Sequence, residues 1–112
     1  MRLLFKICRD SEWKRAIGRG VFMGSEADHA DGFIHLSTAH QVRETAAKHF
    51  AGQTGLVLVA LAESDLENLK WEVSRGGDKF PHVYGEIPTR LARWVKSLPL
   101  EEGAHVFPEE VP

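Results

Sequence analysis

The chain has 112 residues, 43% of them hydrophobic and 27% charged, with a formal charge of −2 and one cysteine. That balance fits a single globular domain over residues 1–112 and excludes a disordered chain. It offers no general attraction to nucleic acid or to an anionic membrane, and the lone Cys8 excludes an internal disulfide or a cysteine-based zinc cluster.

Residues 3–8 read as a buried first strand, with Cys8 as a small core residue. Asp10 or Ser11 is positioned to cap a short helix through Ile17, with Gly18 and Gly20 ending it. Trp13, Ala16 and Ile17 fall at helical spacing and are expected to face the core. Residues 24–31 are polar and turn-rich, which predicts a loop. Residues 32–37 predict a second strand, with Phe33, His35 and Ser37 on one face and Ile34 and Leu36 on the other.

Ser37 or Thr38 then caps a helix over residues 39–50, whose inner stripe is Val42, Ala46, His49 and Phe50. The near-continuous apolar run 56–62 predicts a central buried strand and is far too short to span a bilayer. Ser64 or Asp65 caps a short helical turn to Leu69, residues 71–73 form a short strand, and residues 75–78 form a turn. Residues 79–88 are extended between prolines, residues 91–96 form a strand, and residues 101–112 form a polar tail beyond a core of about 3–98. Strands interspersed with short helices predict an α+β domain with a mostly antiparallel sheet. The first residues lack a signal peptide's apolar stretch and cleavage site, so a cytoplasmic location is expected.

The candidate chemistry falls in two rows. On an extended backbone His82, Tyr84 and Glu86 alternate and share one face. His82 can serve as general base or donate to a substrate hydroxyl, Tyr84 can stack on a ring or bond an oxyanion, and Gly85 lets a ligand approach closely. The other explanation is an edge strand whose polar face meets water. In the second row, His35, Ser37 and Thr38 sit beside a helix start whose amides attract an anion. A core histidine with an ordinary helix cap explains those three residues too. Glu72, after Trp71, is either a third catalytic group or a solvated carboxylate. The chain contains no HExxH, no Walker-type loop, no GxGxxG and no GxSxG, and no metal site is assigned.

In Gly32-Phe-Ile-His-Leu-Ser-Thr38, Gln41 and Phe50, Trp71-Glu72, and Phe80-Pro-His-Val-Tyr-Gly85, the chain resembles the domain of unknown function 952 family of small bacterial proteins. The match runs from Leu4 to about Leu98. The resemblance implies an ADP-ribosyltransferase-like fold, a split and bent β-structure with short flanking helices that holds NAD in its cleft. The strand-Ser-Thr-helix unit is also similar to the His-Leu-Ser piece of RNA 2′-phosphotransferases. In that superfamily a first-strand histidine, a second-strand tyrosine or serine, and a late glutamate grip the nicotinamide ribose. This chain has Lys6 or Ile7 at the first place and His35 with Ser37 and Thr38 at the second. His82 or a near neighbour stands at the third, with Glu86 as a substitute acid.

The expectation is thus an enzyme or degenerate enzyme for NAD, ADP-ribose or a phosphorylated nucleotide. His35, His82 and Glu72 would be catalytic, and Ser37, Thr38, Tyr84, Gly85 and Glu86 would bind ligand. The rival is a non-catalytic small-ligand or protein-interaction module on the same scaffold. Convergence of His35 and His82 on one cavity would favour the enzyme.

Overall fold

The first strand, β1 (Leu3–Arg9), buries five consecutive side chains from Leu4 to Cys8, so both of its faces are covered. This is visible in a computed structural model that describes residues 1–112 apart from the side chain of Arg75. Helix α1 (Asp10–Arg19) follows, then β2 (Val21–Phe22), α2 (Glu26–Asp31), β3 (Ile34–His35), β4 (Ser37–Thr38) and α3 (Val42–His49). The chain continues through β5 (Leu56–Ala62), β6 (Leu69–Val73), β7 (Lys79–Val83), β8 (Ile87–Pro88) and β9 (Ala92–Ser97) to a hairpin of β10 (Leu100–Glu101) and β11 (Ala104–His105). Every strand pair is antiparallel. The architecture is α+β.

A four-stranded sheet in the order β4-β1-β5-β9 forms the centre, and a three-stranded sheet, β3-β7-β6, packs beside it. Strand β5 lies inside the first sheet with all seven residues buried, as its unbroken apolar run requires. Successive side chains of β1 and β5 feed opposite cores. Leu4, Cys8, Val57, Val59 and Leu61 meet Trp13, Phe22, Ile34 and Val83 on one face. Phe5, Ile7, Leu56, Leu58 and Ala60 meet Val42, Ala46, Leu98 and Val111 on the other. Truncating a fully buried member such as Leu58 leaves a cavity and costs about 2–5 kcal/mol.

Several expectations are corrected. Helix α1 runs past Gly18 to Arg19 and ends on Gly20, leaving Ile17 57% exposed rather than in the core. Its N-cap is Arg9, whose amide donates to Glu12 Oε1 at 2.8 Å. Residues 24–31 hold helix α2, where a loop was expected. The expected strand 32–37 breaks at Leu36, so β3 joins β7 in one sheet and β4 joins β1 in the other. Helix α3 begins three residues late, and His49 is exposed rather than inward. Strand β6 starts at Leu69, after a one-turn 3-10 helix over Glu63–Asp65. The tail is not merely polar, since it carries the β10–β11 hairpin and buries Val111. Among the described residues no helix is long and apolar enough to cross a membrane.

Candidate functional site

Helix α2 forms because Ser25 and Asp28 stand at capping-box spacing, and the Ser25 amide donates to Asp28 Oδ2 at 2.8 Å. Gly32, at φ 83°, ends the helix in the left-handed conformation that a side chain resists. The helix thereby delivers Asp28 into the protein, 2% exposed. There it meets Lys6, the one charged residue in the buried part of β1.

The Lys6 ammonium reaches Asp28 Oδ1 at 2.9 Å and Oδ2 at 2.7 Å, and donates to the His35 carbonyl at 3.1 Å. Asp28 Oδ1 also accepts from the His35 amide at 3.1 Å and faces His35 Nδ1 at 2.6 Å. Asp31, one turn further along α2, places Oδ2 2.8 Å from His35 Nε2. Burial alone would push the Asp28 carboxyl up, but the His35 hydrogen bond and the Lys6 ammonium outweigh it. They hold the group well below the usual carboxylate range.

Across the β3–β7 ladder His35 is the direct register partner of His82. Paired residues of an antiparallel ladder project to the same side. The two imidazole centroids are 5.5 Å apart, edge to face. His82 is 5% exposed and its Nδ1 lies 2.7 Å from Glu72 Oε1. The same oxygen accepts the Tyr84 hydroxyl at 2.7 Å. Those bonds, His82 first and Tyr84 second, hold Glu72 below its ordinary carboxylate value. The bond to Glu72 chiefly raises the Tyr84 phenol in turn. The Phe33 ring stacks on His82 at 4.0 Å and 24°, and Lys70 Nζ lies 4.9 Å from the centre of the Tyr84 ring.

A cleft of about 600 Å³ opens over both histidines, walled by Lys6, Asp31, His35, Ser37, His49 and His82. Glu72 and Tyr84 are absent from its lining and stand behind His82. Ser37 Oγ lies 3.1 Å from Thr45 Oγ1. Thr38 is turned to α3, where its Oγ1 accepts the Gln41 amide at 3.2 Å and its own amide donates to Gln41 Oε1 at 3.1 Å.

Gly85 and Glu86 leave the row altogether. Strand β7 ends at Val83, Gly85 takes φ 135°, and both residues line a separate groove of about 410 Å³ with Met23 and Phe33. Glu86 is therefore not on one strand face with His82 and Tyr84. Lys6 stands at the first-strand place that the resemblance offers, whereas Asp28 and Asp31 are not among the expected site residues, although Ser25-Glu-Ala-Asp28 carries the helix-start signal.

Among the described residues no set of three or more His, Cys, Asp or Glu side chains is arranged to hold a metal ion. Cys8 is buried at 1% exposure, and that burial pushes its thiol up to about 12, which suits a core residue. Arg43 donates from its two guanidinium nitrogens to the carbonyls of Pro112 and Val111, at 2.7 and 3.1 Å, which pins the last residues to α3.

A crystal structure of protein CC0527 from Caulobacter crescentus is similar to this chain, at 46% identity and TM-score 0.89, with 93% of each chain covered. Its solution NMR structure matches at 47% identity and TM-score 0.82, covering 94% of this chain and 91% of that one. No curated protein matches. Residues 7–95 match the model of the family described as protein of unknown function, DUF952, and the chain belongs to that family.

Proposed function

We propose that the cleft binds NAD, ADP-ribose or a related phosphorylated nucleotide and acts on it as a glycosyl- or phosphate-transferring enzyme on an ADP-ribosyltransferase-like scaffold. The observation that carries this is the convergence of His35 and His82 on one cleft, each with a carboxylate on Nδ1. A carboxylate on Nδ1 fixes an imidazole's orientation, while Nε2 of His82 bonds no other described residue and Nε2 of His35 meets only the exposed Asp31. Two such rings within one ligand's reach suit the cleavage of one bond and the formation of another. A volume of about 600 Å³ suits a nucleotide-sized ligand. Ser37 and the exposed His49 add polar groups along the wall.

Antiparallel sheets and short helices are features that the scaffold implied by the resemblance also has. A binding module without chemistry needs no paired, carboxylate-backed histidines, so the convergence favours the enzyme. Thermal-shift titration with NAD, ADP-ribose and 2′-phosphorylated nucleotides tests the proposal. Stabilisation by at least one of them at millimolar concentration is expected, and it should be lost in His82→Ala. No shift with any of the three rejects the nucleotide assignment.

A further inference from the structure

The two histidines of the cleft have unequal surroundings. His35 faces a carboxylate oxygen on both ring nitrogens, Asp28 at 2.6 Å and Asp31 at 2.8 Å. A neutral imidazole has one donor and one acceptor nitrogen, so only the doubly protonated ring satisfies both contacts. Charge balance agrees with that count. Lys6 and a protonated His35 match Asp28 and Asp31 one for one. A neutral His35 would leave a surplus negative charge beside the cleft.

His82 meets one carboxylate only, Glu72 on Nδ1. Its Nε2 bonds no other described residue, although the side chain is only 6% exposed and borders the cleft. The groups facing His35 are Lys6 from β1, Asp28 and Asp31 from α2, and His82 from β7. Those facing His82 are Glu72 and Lys70 from β6, Lys70 being the cross-strand partner of His82, and His35 from β3. Tyr84 reaches it through Glu72.

We propose that the pair is asymmetric, with His82 Nε2 the proton acceptor and His35 Nε2–H the proton donor, and that Asp28, Asp31 and Glu72 are the positioning residues that set those roles. In a transfer step the hydroxyl of water or of an acceptor substrate gives its proton to His82 Nε2 as its oxygen forms the new bond. His35 Nε2 passes its proton to the departing group as the old bond breaks. Exchange with solvent then restores both rings, and no oxidant or reductant is required. Asp31, whose side chain is 56% exposed, is the partner that the departing group displaces from His35.

The assignment rests on the catalytic view of the cleft, but its test needs no ligand. Long-range proton–nitrogen correlation spectra at neutral pH should show both His35 nitrogens protonated and His82 protonated on Nδ1 alone. Asp31→Asn, a substitution at the surface, should turn His35 into a singly protonated ring. Glu72→Gln should make His82 a mixture of tautomers while the fold, followed by amide spectra, is kept. A bare nitrogen on His35, a proton on His82 Nε2, or a His35 pattern unmoved by Asp31→Asn overturns the assignment. The expected ring pattern with a silent nucleotide screen rejects the nucleotide alone and leaves the roles standing.

Discussion

The two carboxylate–histidine clusters are built from similar groups and differ in what surrounds them. Around His35, the carboxylate of Asp28 is buried and bound to the ammonium of a lysine whose side chain is 6% exposed. Around His82 it is the carboxylate that reaches water, with the Glu72 side chain 39% exposed and the imidazole buried. A buried ion pair contributes little net stability, yet removing one partner strands a charge in a poorly solvated place. A carboxylate at the rim has water to fall back on. The first cluster therefore ties the fold together, linking β1 of one sheet to α2 and to β3 of the other. The second is free to be adjusted for chemistry.

The sharpest way to break this contrast is Lys6→Ala. It leaves Asp28 buried without its ammonium and is expected to cost about 3–5 kcal/mol, read from urea denaturation. Removing both charges together, Lys6→Met with Asp28→Asn, which keeps an amide oxygen for the Ser25 and His35 donors, should recover part of that loss. If the double variant is as unstable as the single one, the penalty comes from packing or from weakened hydrogen bonds rather than from a stranded charge.

Acid probes the same cluster less severely. The Asp28 carboxyl is held low in the folded chain, so the unfolded chain takes up the proton first as pH falls. Its stabilisation is complete above the ordinary carboxylate range, near pH 4, and drains away as pH drops toward the folded-state value. Melting temperatures measured from neutral to strongly acidic pH should fall steeply in the wild type and less steeply in Asp28→Asn. Parallel curves would show that Asp28 does not dominate the acid limb.

At the other cluster the effects on stability should be the smallest. Glu72→Gln is expected to leave the urea midpoint nearly unchanged while weakening the response to any cleft ligand. It should also return the Tyr84 phenol toward its ordinary value, visible in the ultraviolet absorbance of the phenolate. A Glu72 variant as unstable as Lys6→Ala would erase the distinction between the clusters.

Much of the scaffold was legible in residue order. Strand β5 is a continuous apolar run at a central position, and its bounds were read without error because periodicity has nothing to compete with there. His82 and Tyr84 were rightly placed on a common side, and the structure adds the Glu72 oxygen that joins them. The failures share a cause. Helix α2 has six residues, too few for a 3.6-residue period to show, and its polar composition mimics a loop. Lys6 makes sense only through a carboxylate 22 positions away, a separation no local pattern reports. Glu86 was lost to the turn at Gly85, which a strand pattern drawn through glycine does not foresee.

The histidine pair owes its spacing to a ladder register, His35 opposite His82, with Val83 opposite Ile34 beside it. A register is a count, and counts change in whole steps. Exchanging a side chain in β3 or β7 alters one contact. Inserting or deleting one residue in β7 ahead of His82 sends the ring through the sheet to the opposite side. Random mutagenesis of these strands should accordingly be far kinder to point changes than to single-codon insertions and deletions. The loop at residues 75–78 is a safer place to lengthen the chain, because the ladder re-forms beyond it without losing step.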